Sequence, residues 1–166
     1  MSDIRITPIQ DKTLLILKRI QSQISTYRGY KADGDARVAS QIMFEDIKKR
    51  LDISLSNLRA AIDNLESYSL KEESKITEEI YDQIAGLKGL EVKIPENPVI
   101  LKQENVEKFY VNDSLGFDNS REILDNINSF RSASISGEFD PKIIEKIREN
   151  VENIKMFVEE KNKLLS

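Results

Sequence analysis

The sequence predicts an all-α fold: a helical bundle with a connector punctuated by proline and glycine, and a long amphipathic C-terminal helix. Three observations predict it. Apolar residues recur at steps of three and four in three long segments, the spacing that gathers side chains on one helical face. No proline or glycine falls between Asp35 and Tyr68. Two segments open with a capping residue followed by proline, Thr7-Pro8 and Asp140-Pro141, and proline is at home in the first turn, where its missing N–H leaves no bond unmade.

The first helix starts at Thr7 as N-cap, with Gln10 completing a capping box. Ile9, Thr13, Ile16/Leu17, Ile20, Ile24 and Tyr27 form its apolar face, and Gly29 is the expected stop. Residues 27–35, with two glycines and two aspartates, read as a loop. Phe44, Ile47, Leu51, Leu55, Leu58, Ile62 and Leu65 then follow at steps of 3, 4, 4, 3, 4 and 3. They fit one helix of about 50 Å or two helices joined near Asp52. A shorter helix spans about Glu72 to Ala85, ended by Gly86.

Gly86, Gly89, Pro95 and Pro98 punctuate residues 86–101, which therefore read as an extended connector with room for one short strand. A short helix from Gln103 to Tyr110 and a turn around Asn112–Gly116 come next. A helix capped by Asp118 then runs to Ser132 and meets a loop of small residues at 132–137. The last helix has Asp140 as N-cap and Pro141 in its first position. These elements divide into an N-terminal helical module (1–88), a connector (89–101) and a C-terminal helical module (102–166).

Composition narrows the chemistry. The 166 residues contain no Cys, no His and no Trp. Disulfides, thiolate nucleophiles, Cys/His zinc sites and Ser-His-Asp triads are therefore excluded. The net charge is −4; residues 1–70 hold 11 basic and 9 acidic side chains, and residues 71–166 hold 14 and 20. An acidic chain is a poor non-specific binder of nucleic acid or anionic membrane. The longest aliphatic run, Leu14-Leu15-Ile16-Leu17, is far short of a membrane span, and no signal peptide is recognisable. The expectation is a cytoplasmic protein, or one intracellular in a host if viral.

No catalytic grouping stands out. The acidic clusters Glu72/Glu73, Glu78/Glu79/Asp82, Glu145/Glu149/Glu152 and Glu159/Glu160 lie among lysines, as solvated helical faces do. Gly86-Leu87-Lys88-Gly89 lacks the spacing of a phosphate loop. Asp33-Gly34-Asp35 has no glutamate at the twelfth position that a calcium loop requires. No enzyme activity, cofactor or metal is expected. Tyr27-Arg28-Gly29-Tyr30-Lys31 interleaves aromatics with cations, a mixture able to stack on bases, and equally a loop whose tyrosines close one end of a bundle.

Two helical surfaces, together with whatever the connector at 89–101 exposes, are candidates for recognition. Ile144, Ile147, Val151, Ile154, Val158 and Leu165 keep a 3,4 alternation broken at Lys161. This seam suits pairing with another chain, including a homodimer, or packing on helices of the same chain. Residues 45–65, Glu-Asp-Ile-Lys-Lys-Arg-Leu-Asp-Ile-Ser-Leu-Ser-Asn-Leu-Arg-Ala-Ala-Ile-Asp-Asn-Leu, form the second. This stretch resembles the helix-turn-helix of winged-helix regulators, where a positioning helix leads through a tight turn into Ile-Ser-x-Ser and a recognition helix. The resemblance implies DNA binding, with Ser54, Ser56, Asn57 and Arg59 toward the major groove and Lys48, Lys49 and Arg50 near the backbone. The same apolar positions satisfy an uninterrupted helix, so a turn at Asp52–Ser54 separates the two readings.

The leading expectation is a non-enzymatic adaptor or assembly protein acting through protein–protein contacts. The alternative is a small DNA-binding regulator that dimerises through its C-terminal helix.

Overall fold

The computed structural model describes residues 8–166, with side chains from Lys12 onward. The expected capping box at Thr7 and the burial of Ile9 lie outside the described residues. Five α-helices account for the architecture: α1 (Pro8–Gln21), α2 (Arg37–Ser67), α3 (Lys71–Lys88), α4 (Gln103–Ile135) and α5 (Pro141–Leu165). The all-α bundle is the observed fold. No helix among the described residues is long and apolar enough to cross a membrane.

α4 is the hub. It packs most extensively on α2 and α5 and also carries α1, while α3 closes against α2 and α5. Three neighbours require three inward faces, and α4 buries residues all round its middle: Asn112, Asp113, Gly116, Phe117, Asn119, Ser120 and Ile123. That clustering explains why the expected break at Asn112–Gly116 is absent and α4 runs unbroken for 33 residues. Gly116 is there for close approach. A Cβ on it would lie 2.7 Å from the Phe157 ring and 2.9 Å from Ile47 Cδ1, so only glycine lets α2, α4 and α5 meet at this level. Asp118, expected as a cap, instead reaches Arg19 of α1 at 3.1 Å.

Several boundaries move for similar reasons. α1 ends at Gln21, ahead of the expected stop at Gly29, yet Ile24, Tyr27 and Tyr30 beyond it remain buried. α3 continues past Gly86, whose missing side chain faces open space, and there glycine costs only its propensity of about 1 kcal/mol. At α5 the expected cap is present: Asp140 Oδ1 accepts the Lys142 N–H at 2.9 Å, with Pro141 behind it.

The connector pairs with the α1–α2 loop as a single antiparallel bridge between Asp35 and Ile100, with no strand among the described residues. Backbone bonds Asp33 N–H to Leu101 O (2.8 Å), Leu101 N–H to Gly34 O (2.9 Å) and Ala36 N–H to Val99 O (2.8 Å) hold it. Asp35 Oδ1 also accepts from Val99 N–H and Arg37 N–H. One contiguous apolar core extends from Ile16 to Leu165. The expected split into two modules at 89–101 is thus not how the core is built, because α2 and α4, from opposite sides of that connector, are principal partners.

Candidate functional site

The residues expected to read DNA form the middle of α2, which is continuous from Arg37 to Ser67 with no turn at Asp52–Ser54. Ser54 is fully buried and its hydroxyl lacks a partner, so it cannot face a groove. Asn57 is bonded to Asn128 (2.8 Å) and Arg131 (2.9 Å) of α4. The Arg59 guanidinium sits 4.4 Å from the centre of the Tyr81 ring of α3, Lys48 covers Phe44, and Arg50 pairs with Asp46 at 2.9 Å. Lys49 and Ser56 are exposed. Of these seven residues, Ser54 is taken up by the core and Asn57 by contacts with α4, and α2 has no turn at Asp52–Ser54.

The seam of α5 is likewise accounted for. Ile144, Ile147, Val151, Ile154, Val158 and Leu165 are all buried inside the bundle, where α4 and α3 cover them. The expected self-pairing surface is therefore consumed by the chain itself. Asparagines fix the register of the α4–α5 contact. Asn112, Asn119 and Asn126, seven residues apart, meet Phe157 O (3.1 Å), the Asn150 and Asn153 amides (2.9 and 3.1 Å) and Asn150 Oδ1 (3.1 Å) respectively. A polar rung in an apolar seam specifies register because any slip strands its buried donors.

Lys161, the residue that interrupts the seam, is fully buried beside a fully buried Asp113 of α4, with Nζ 2.5 Å from Oδ1. Its amine also donates to Tyr30 Oη at 2.8 Å and lies about 5 Å from the Tyr30 and Phe109 ring centres. Asp113 Oδ2 accepts from Tyr27 (2.8 Å) and Tyr30 (2.6 Å). Tyr110 Oη receives the Tyr30 N–H and donates to Tyr30 O. Burial pushes the Lys161 amine below its ordinary range, against the pull of Asp113. Burial, reinforced by Asp113, drives the Tyr27 and Tyr30 hydroxyls well above theirs. This network ties the α1–α2 loop to α4 and α5. The tyrosines expected either to stack on bases or to close the bundle end are in its interior.

Between α4 and α5 a groove opens to solvent, with a volume of about 970 Å³. Val111 and Leu115 of α4 and Met156 of α5 line it, and Val111 and Met156 are 42% and 55% exposed. Six carboxylates surround them (Glu104, Glu107, Asp118, Glu122, Glu159 and Glu160), against two lysines, Lys108 and Lys163. α1 flanks the α4 side, where Lys12 reaches Glu107 at 3.7 Å and Arg19 meets Asp118 and Ser114. Leu15, 67% exposed, lies on the α1 flank that carries Lys12 and Arg19.

Sequence reasoning missed this surface. Its signal was Val111 and Met156, which fall off the apolar stripes of their helices. No group of three or more acidic side chains among the described residues is placed to hold a metal ion. Fold and surface together define the class: a five-helix all-α bundle with one apolar-floored, acid-rimmed groove. Comparison with protein families, with curated proteins and with solved structures finds no match to this chain.

Proposed function

We propose that the protein is a non-enzymatic helical adaptor, working inside the cell through protein–protein contacts at the α4–α5 groove. The observation that carries this reading is the pair Val111 and Met156, exposed in a concave surface while the helical stripes expected to bind partners are buried. Exposed apolar side chains in a groove between two helices are what an incoming helix covers. The floor from Glu104 to Glu122 is about 27 Å long at 1.5 Å per residue, the length of a five-turn helix. Asn112, Asn119 and Asn153, which also line the groove, tie α4 to α5 by hydrogen bonds, so little ordering is needed on binding.

A photo-crosslinking residue placed at 111 or at 156 tests this in the source cell. The expected result is one and the same partner captured from both positions and not from Lys75, exposed on α3. The purified partner should then lose binding to Met156→Glu. Equal capture from position 75, or full binding by Met156→Glu, overturns the proposal.

A further inference from the structure

We infer that the occupant of the α4–α5 groove is a cationic amphipathic helix, one with a Leu- or Met-type stripe flanked by Lys or Arg. The inference rests on the groove being the partner surface and adds the partner's chemistry from charge. Of the six carboxylates around the groove, Glu107 and Asp118 are already tied to Lys12 and Arg19 of α1. Glu104, Glu122, Glu159 and Glu160 make no ion pair with any Lys or Arg among the described residues.

Glu104 and Glu122 lie at either end of the α4 floor, and Glu159 and Glu160 stand on the α5 wall near Met156. Apolar residues with unpaired carboxylates at both ends of the α4 floor and along the α5 wall are complementary to a helix whose apolar stripe is bordered by cations. This arrangement penalises an acidic helix of the same shape, since like charges brought together across an interface are costly. The margins of the groove stay wet, so the charges set partner choice and salt dependence while Val111, Leu115 and Met156 supply the burial.

The test uses the full chain and three fluorescein-labelled helical peptides of about eighteen residues. They share one leucine stripe and differ only in having Lys, Gln or Glu on the flanks. Anisotropy titrations at low salt should show binding in the order Lys, Gln, Glu, with the Lys peptide weakening as salt is raised. Replacing Glu104, Glu159 and Glu160 by Gln should weaken the Lys peptide about tenfold and leave the Gln peptide unchanged. Val111→Asn with Met156→Gln, which keeps every charge, should abolish both.

Equal binding of the Lys and Gln peptides, lost together in the Val111/Met156 variant, overturns the cationic partner and spares the groove. No binding by any peptide overturns both. Binding of the Lys peptide that neither set of substitutions alters overturns the inference by showing attraction to the acidic surface at large.

Discussion

Lys161→Met is the most informative single perturbation of this fold. Methionine keeps the length and apolar stem of lysine and removes only the ammonium, so packing against Phe109, Phe157 and Tyr30 is largely kept. What is lost is the partner of Asp113 Oδ1, leaving a fully buried carboxylate held by two tyrosine hydroxyls on its other oxygen. Removing one member of a buried pair costs about 3–5 kcal/mol, because the remaining charge keeps its desolvation penalty. A domain of this size is stabilised by about 5–15 kcal/mol in total, so about a fifth or more of the stability is at stake.

Urea unfolding followed by far-ultraviolet circular dichroism reads the loss. With a slope of about 2 kcal/mol per molar urea, the midpoint should fall by about 1.5–2.5 M with no change in slope. Asp113→Asn combined with Lys161→Met removes both charges and keeps an acceptor for the tyrosines. It should cost less than Lys161→Met alone, so the cycle yields a coupling energy of about 2 kcal/mol or more. A single variant within about 1 kcal/mol of the parent, or costs that simply add, would show that the pair contributes no more than a surface ion pair.

Three further outcomes follow from named contacts. Gly116→Ala should destabilise by about 1–3 kcal/mol despite alanine's better helix propensity, because its methyl meets Phe157 and Ile47; an unchanged melting temperature would contradict the close approach. Ser54→Ala should raise stability by about 1 kcal/mol, since the buried hydroxyl it removes has no partner; urea titration measures it, and destabilisation would reveal a bond to that oxygen.

Stability should also fall above about pH 10. Tyr27, Tyr30 and Tyr110 have folded-state pKa values raised above their ordinary 10.0, first by burial. The unfolded chain therefore releases those protons first, and their contribution is intact below pH 10.0 and lost as pH climbs past it. Lys161 acts in the opposite sense below its ordinary 10.5, since burial lowers its pKa, but one lysine opposes three tyrosines. Alkaline melts should show the decline, and Tyr27→Phe should make it shallower.

The fold class was legible because helical periodicity is local. Steps of three and four along α2 and α5 mark a buried stripe whatever it packs against, and Asp140-Pro141 marks a start through chemistry confined to one turn. Periodicity does not say which element covers a stripe. The α5 seam reads alike for a partner chain and for α4, and the buried asparagines that decide between them lie in both segments. Gly116 and Gly86 look like breaks because propensity sees only the backbone, whereas in α4 the missing side chain makes room for a neighbouring helix. The resemblance at 45–65 implies a turn at Asp52–Ser54, and packing of Leu51, Leu55 and Leu58 into the core keeps this stretch helical. Lys161 was visible as an anomaly in the seam, but its explanation, Asp113, is 48 residues away. The groove was hidden for a related reason: it is made of residues that break two separate patterns, and only their juxtaposition gives them meaning.

Hydrogen–deuterium exchange of the full chain, with and without the lysine-flanked peptide, addresses the groove most directly. Exchange should slow only over residues 104–122 of α4 and 153–163 of α5, with α2 and α3 unchanged. Slowing centred on α2 or α3, or spread evenly over the molecule, would contradict binding at the groove.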